Sequence, residues 1–379
     1  MRRLLPLLCG LLLAACGQRA ARPIGDFTLP VYTPRYASGF EITGAAGSRS
    51  TLVTVHNPWY GDEVTDQYLF IARDGEPAPA GFEGQVLRDE ARRVVCMSGS
   101  YIAMLDALGA ADRVVGISGA QYLINETLRR RIARGEAADV GFDSNVDFER
   151  LMALRPDLVM LFGIGGADTA LTGKLRELGI PYLYMGEHCE ESPLGKSEWV
   201  VVAAEIAGLR TEGSRLFAAI PERYERLRAL AQQTAARPRV MLNTPYRDTW
   251  FMPARNSYMV RLLEDAGARY VFEENTATQT LPIDIEQAYY LTSKSDFWLN
   301  VSGCNTLDEV RRQNPRLADT PPVREGRVYD NNRRRNAAGG SDFWESGVLR
   351  PDRVLADLVH IFHPELSETD ELYYYRQLE

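Results

Sequence analysis

Hydrophobic and polar positions change their period along this chain. From Arg93 onward, short apolar runs alternate with segments of helical spacing. VVCM (94–97) reads as a buried strand, SGS as a turn, and YIAMLDALG (101–109) as a helix closed by Gly109. VVGIS (114–118) predicts a second strand. VDFERLMALRPDLVMLFG (146–163) and KLRELGIPYLYMG (174–186) each predict a helix followed by a strand. Strands alternating with helices point to a parallel sheet covered by helices on both faces.

The second half repeats the pattern. PRVMLN (238–243) and RYVFEE predict strands, and SYMVRLLEDAG (257–267) a helix ending in Gly267. IDIEQAYYLTSKSDFWLNVSG (283–303) parallels VDFERLMALRPDLVMLFG. Both carry apolar-Asp-apolar-Glu, then a Leu five residues past that Glu, then an Asp and an apolar run ending at Gly. Asp147 and Asp284 mark the repeat, which predicts two similar α/β lobes. Between them, Leu216, Phe217, Ile220, Tyr224, Leu227 and Leu230 form one stripe of a helix over residues 212–233. At 1.5 Å per residue such a rod is about 33 Å long. Pro221 should kink it or start its second half. A helix at this junction limits relative motion of the lobes.

Ahead of Arg93 the pattern is different. STLVTVHNPWYG and QYLFIAR, with turn residues between them, predict a β-hairpin. Met1-Arg2-Arg3 precedes an apolar run ending at Ala15. About a dozen residues are too few to span a membrane, which takes roughly 20. A basic start, a short apolar stretch and small residues describe a secretory signal. Leu13-Ala14-Ala15-Cys16-Gly17 is similar to the lipobox of bacterial lipoproteins, which implies a lipidated Cys16. The expected organisation is a signal peptide (1–15), a lipid anchor and tether (16–35), a first lobe with an added hairpin (36–196), helices including the linker (197–236) and a second lobe (237–379).

Composition narrows the function. With 379 residues, 45% of them hydrophobic, there is material for two cores. A net charge of −8 argues against nucleic acid, which needs a basic excess. Once Cys9 and Cys16 are set aside, Cys96, Cys189 and Cys304 remain and allow at most one disulfide. The four histidines, His56, His188, His360 and His363, are scattered, so no metal site is expected.

The chain resembles the class III solute-binding lipoproteins of ABC importers, which take cobalamin, haem and ferric siderophores. The resemblance rests on VVCMSGSYIAMLDALGAADRVVGIS, VGFDSNVDFERLMALRPDLVMLFG, the long linker helix, SYMVRLLEDAGARYVFEEN and GGSDFWESGVLRPDRVLADLVHIFHPEL, spanning residues 92 to about 365. It implies an α/β fold of two Rossmann-like lobes with parallel sheets, joined by a rigid helix, with ligand held in the cleft. Residues 36–90 fall outside the core pattern. The resemblance also implies a docking Glu on each lobe for arginines of the permease. Those slots here hold Ala103 and Arg261. Asp106 and Glu264, each three residues on and about one helical turn away, are expected to take that role. Ordinary solvated carboxylates are the competing reading.

Ligands of parallel α/β lobes meet the loops at the carboxyl ends of strands. Those loops offer Ser100, Tyr101, Gln121 and Tyr122 in the first lobe. In the second they offer Tyr246, Arg247, Trp250, Asn332, Arg333 and Arg335. Tyr101, Tyr122, Tyr246 and Trp250 are the expected aromatic faces. The arginines suit an anionic iron chelate. Ser98 and Ser100 could hold an anion at a helix start. SDFWES (341–346) reads as packing, with Trp344 a lesser cleft candidate.

The expected function is extracytoplasmic and lipid-anchored: capture of a ferric siderophore and delivery to an ABC permease, in the periplasm, as a monomer, without a cofactor. Cobalamin and haem are alternatives in the same role. A surface or scaffold lipoprotein working with an outer-membrane receptor is an alternative of another class. Enzyme readings are weak. Gly116-Ile117-Ser118-Gly119-Ala120 misses the last Gly of a nucleophile elbow. Gly163-Ile164-Gly165-Gly166-Ala167-Asp168 lacks the third Gly of a dinucleotide fingerprint.

Overall fold

The computed structural model describes residues 21–61, 64–163, 166, 169–247, 249–367 and 371–379. The leader, Cys16 and most of the GIGGAD stretch lie outside the described residues. The strand-helix alternation becomes two sheets. In the first lobe the order is Tyr182–Met185, Leu158–Phe162, Val94–Cys96, Val114–Ile117, Ala138–Asp139, all parallel. In the second it is Arg269–Tyr270, Arg239–Leu242, Phe297–Leu299, Val328–Asp330, Arg376–Gln377, with only the last strand antiparallel. Val94–Cys96 and Val114–Ile117 are buried throughout and Arg239–Leu242 is buried after its first residue, as continuous apolar runs covered on both faces require. RYVFEE supplies only the two-residue strand Arg269–Tyr270.

The internal repeat has a local cause. Asp147 caps the helix Phe148–Leu154, its carboxylate accepting from Arg150 N at 2.9 Å. Asp284 caps Ile285–Ser293 in the same way, accepting from Gln287 N at 2.8 Å. A carboxylate at this position satisfies an orphan N–H and favours the positive helix end.

The linker is one helix, Arg210–Ala231, of 22 residues. It runs through Pro221 rather than restarting there. Packing on both flanks holds it. Gly213 lies against Ala204, where a Cβ would approach within 2.3 Å. On the other flank Arg223 pairs with Asp352 at 2.7 Å and Tyr224 donates to Asp265 at 2.7 Å.

The expected hairpin pairs Thr51–His56 with Asp66–Ala72, in register from Thr51 opposite Ile71 to His56 opposite Asp66. It is part of a larger sheet that also contains Leu29–Tyr32, Phe40–Gly44 and Gln85–Arg88. The expected tether therefore ends earlier than residue 35. Leu29–Tyr32 is the edge strand, and its exposed positions and Pro30 suit an edge. Three buried carboxylates fasten this sheet to the first lobe. Glu198 accepts from Tyr32 Oη and from the N–H groups of Arg35, Tyr36 and Ala37, at 2.7–2.8 Å. Glu190 accepts from Ser38 N, Gly39 N and Trp199 Nε1. Glu205 accepts from Thr51 Oγ1 and pairs with Arg73 and Arg210.

Cys96, Cys189 and Cys304 are all free thiols. Among the described residues no helix is long and apolar enough to cross a membrane, and no group of His, Cys, Asp or Glu is placed to hold a metal ion.

Candidate functional site

The loops at the carboxyl ends of the first-lobe strands converge on a polar chain. Ser98 caps Gly99–Ala107, and its hydroxyl lies 2.9 Å from that of Ser100. Ser100 Oγ donates to Glu187 Oε1 at 2.9 Å. Burial pushes the Glu187 carboxyl up to about 7, while nearby Lys196 and Ser100 act against it. Lys196 is buried too, its ammonium 4.3 Å from the ring centre of Tyr258 on the second lobe. Burial lowers its affinity for a proton, and Glu187 opposes that shift. The His188 ring packs 4.3 Å from Phe162, with Nε2 2.8 Å from the Gly163 carbonyl. Burial, reinforced by Lys196, lowers its pKa to about 4, so the imidazole is neutral near pH 7. Its Nε2 is thus engaged by the backbone. Exposed Tyr60, from the added sheet, donates to the His188 carbonyl at 2.7 Å.

A cavity of about 280 Å³ opens beside Ser98, between the lobes. Ser118, Gly119 and Tyr122 line its first-lobe side; Ser341, Trp344 and Glu345 line the other. Tyr122 and Trp344 keep 45% and 54% of their surface exposed and line the cavity from opposite lobes. Among the described residues no Lys or Arg lines the cavity.

The lobes meet closely here. Glu345 accepts from Ile124 N and, at 2.9 Å, from Asn125 N. Burial raises its carboxyl to about 7 against the pull of those two donors. Asn336 Nδ2 donates to the carbonyls of Gln121 at 2.9 Å and Leu123 at 3.2 Å.

The residues expected at the site divide into three groups. Tyr122 lines the cavity, while Gln121 lines a neighbouring one of about 340 Å³ with Asp139 and Phe142. Ser100 is buried and joined to Glu187. Tyr101 and Trp250 are core residues, 0% and 1% exposed, and present no aromatic face to a ligand. Tyr101 Oη donates to the Leu161 carbonyl at 3.2 Å and Trp250 Nε1 to that of Leu242 at 2.9 Å. Tyr246 and Arg247 sit exposed on the turn of a small hairpin, the guanidinium 5.4 Å from the ring centre, and neither lines the cavity. Asn332 is buried and accepts from Arg376 at 2.6 Å. Arg333 faces Glu371 at 3.3 Å, and Arg335 is exposed outside the cavity lining. Glu187 was not singled out from sequence, Ser118 was named only within a partial nucleophile elbow, and Glu345 lay in the SDFWES segment read as packing. Glu345 lies in a turn before a short helix, and its partners are about 220 residues away.

The lobes, the linking helix and the cleft define a solute-binding protein. The periplasmic binding protein family matches over residues 94–333, and the chain belongs to that family. The match begins at Val94, after the added sheet. Two uncharacterized lipoproteins of Methanocaldococcus jannaschii are similar in sequence. One is 25% identical over 332 residues, covering 82% of this chain and 77% of the relative. The other is 22% identical, covering 83% and 81%. In fold, the chain is similar to a periplasmic heme-binding protein from Pseudomonas aeruginosa, with TM-score 0.58 and 19% identity, over 76% of this chain and 98% of that one. A protein of an Fe3+-hydroxamate transport system from Saccharomonospora viridis gives TM-score 0.53 and 16% identity, over 72% and 94%.

Proposed function

We propose that the protein is a lipid-anchored, extracytoplasmic solute-binding protein that captures an iron chelate of low charge, of the ferric hydroxamate type, and hands it to an ABC permease. The observation that carries the ligand class is the cavity between Tyr122 and Trp344. It offers aromatic faces and serine hydroxyls, contains the Glu345 carboxylate, and among the described residues has no Lys or Arg in its lining. Such a wall disfavours an anionic catecholate or carboxylate chelate, the class that the arginine-rich loop had suggested. A cavity of about 280 Å³ takes the compact iron-bearing part of a chelate, with the remainder at its open mouth. The named activities of the structural relatives from Saccharomonospora viridis and Pseudomonas aeruginosa support iron-bearing cargo. The lipobox at Cys16 and the lipoprotein relatives support the anchor.

Docking falls to Asp106 and Glu264. The first-lobe slot of the familiar pattern holds Ala103, which is only 7% exposed, whereas Asp106 and Glu264 are both partly open to solvent. Uptake that survives alanine at both positions would remove them from the docking role.

Tryptophan fluorescence tests the ligand class, with Trp344 as the reporter because Trp250 is buried. The mature protein is titrated with a ferric hydroxamate, a ferric catecholate, haemin and cyanocobalamin. Saturable quenching by the hydroxamate, lost in Trp344→Phe, is the expected result. Quenching by haemin or cyanocobalamin alone would reassign the ligand.

A further inference from the structure

The added sheet has one end where several strand ends gather. Leu29 pairs with Gly44, Gly44 with Thr51, and Thr51 with Ile71. Just beyond them, Glu76 lines a groove of about 880 Å³ together with Pro156, Asp157 and Pro181. Those three residues lead into the strands Leu158–Phe162 and Tyr182–Met185. This pole is therefore the amino end of the first-lobe sheet. The carboxyl ends, with Ser98 and Ser118, face the second lobe, where Glu345 and Gly340 touch Asn125 and Tyr122.

The same pole fixes the chain just downstream of Cys16. Arg22 Nε meets Glu76 Oε1 at 2.9 Å, and the Glu76 side chain is only 6% exposed. Its carboxylate also accepts from the hydroxyls of Ser48 and, at 2.8 Å, of Ser50. An exposed ion pair must order two mobile side chains. Here the serines already hold the carboxylate, and only Arg22 has to be ordered. The next fixed point is Phe27, which is buried and meets the Phe70 ring edge-on at 5.2 Å.

Chain length turns this contact into an orientation. Cys16 lies six residues before Arg22, and a chain that short spans at most about 20 Å. Counted to Phe27 instead, eleven residues span at most about 38 Å. A folded chain of this length is roughly 50 Å across.

We propose that Arg22 and Glu76 clamp the lipid leash, so that the amino-end pole of the first lobe faces the membrane and the second lobe is the outer one. This rests on the anchor reading of Cys16 and adds its geometry; the partner of the pole is the lipid surface. With the clamp closed, the second lobe cannot rest on the bilayer while the first stands above it. Opening the clamp nearly doubles the reach and admits that tilt. The added sheet lies ahead of residues 94–333, which match the family, and its task is to set the stance of the two lobes.

Energy transfer to the membrane tests this on the lipidated protein. The vesicles are phosphatidylethanolamine and phosphatidylglycerol with an acceptor dye on the headgroups. Cys96 and Cys304 are buried, and Cys189→Ser removes the part-exposed thiol. In that background a fluorescent label is attached through Glu177→Cys, at the clamped pole, or through Glu325→Cys, ahead of strand Val328–Asp330 at the far end of the second lobe. Transfer should be severalfold stronger from position 177 than from position 325. Arg22→Ala and Glu76→Gln should each narrow that ratio. A flexible insert of about five Gly and Ser residues between Ala20 and Ala21 lengthens the leash with the clamp intact, and should narrow it as well. Equal transfer from the two positions of an acylated protein, or a ratio that neither Arg22→Ala nor the insert changes, would overturn the clamp and leave the anchor standing. A Cys16 that mass spectrometry finds without acyl chains would instead overturn the anchor reading, and the clamp with it.

Discussion

Gly340 lies against the backbone of Tyr122, so closely that a Cβ on Gly340 would stand 1.7 Å from the Tyr122 carbonyl oxygen. No side chain can rotate away from that clash, because both partners are main chain. Gly340→Ala should therefore push the lobes apart at the cavity rather than repack locally. An overpacking cost of about 1–3 kcal/mol, borne by the closed state, corresponds to a loss of affinity for the quenching ligand of about fivefold to over a hundredfold. A larger radius of gyration in small-angle scattering should accompany it. Unchanged affinity and radius would mean that the two segments separate at no cost.

Glu198 organises the junction between the added sheet and the first lobe. Glu198→Ala leaves the N–H groups of Arg35, Tyr36 and Ala37 and the Tyr32 hydroxyl without their acceptor. Each donor left buried without an acceptor costs about 1–3 kcal/mol. Limited proteolysis should then cut within residues 29–38 long before the rest of the chain. Cleavage that begins elsewhere, at the wild-type rate, would contradict this role.

The neighbours Glu187 and His188 respond to pH in opposite senses. The folded state holds the Glu187 proton up to about 7, above the ordinary carboxyl value, so its stabilisation is full below about pH 4.5 and is lost as pH rises toward 7. Glu345 acts in the same direction. His188 is lowered to about 4, so its stabilisation is full above about pH 6.5 and is lost as pH falls. The opposing slopes overlap between about pH 4.5 and 6.5 and flatten the wild-type profile. His188→Gln keeps a donor for the Gly163 carbonyl and removes the histidine's slope. Denaturant titrations should show this variant gaining stability relative to wild type at pH 5 compared with pH 7.5, by about 2 kcal/mol. A constant difference between wild type and variant across that range would contradict the assignment.

The paired caps give a further check. Asp147→Ala and Asp284→Ala each remove one charge-assisted cap and should each cost about 1 kcal/mol. The two sites lie in different lobes, so their effects in the double variant should add. A neutral Asp284→Ala would show that the repeat is kept for another reason.

Those aspartates also show how much of the fold could be read from sequence. Alternating apolar runs and cap residues are local signals, and they located both sheets, the linker and the repeat. Aromatic direction was not readable in the same way. In Thr249–Met252 the alternation fixes two opposite faces but does not label them. Trp250 and Met252 turned inward, leaving Phe251 outside. Tyr101 follows a strand-end turn and could point either way from sequence; in the structure it fills the core. Of the arginine-rich loop, Arg333 and Arg334 answer to Glu371 and Asp342. Glu345 draws its meaning from residues in the other lobe, and no local pattern announces it.

The uninterrupted linker Arg210–Ala231 has a consequence for signalling. On the proposed function, a stiff rod gripped along both flanks would keep the empty and the loaded protein close to one shape. A permease cannot then judge occupancy from gross outline, as it could with a jaw that snaps shut. The message has to be written in small print, at the seam where the two lobes touch.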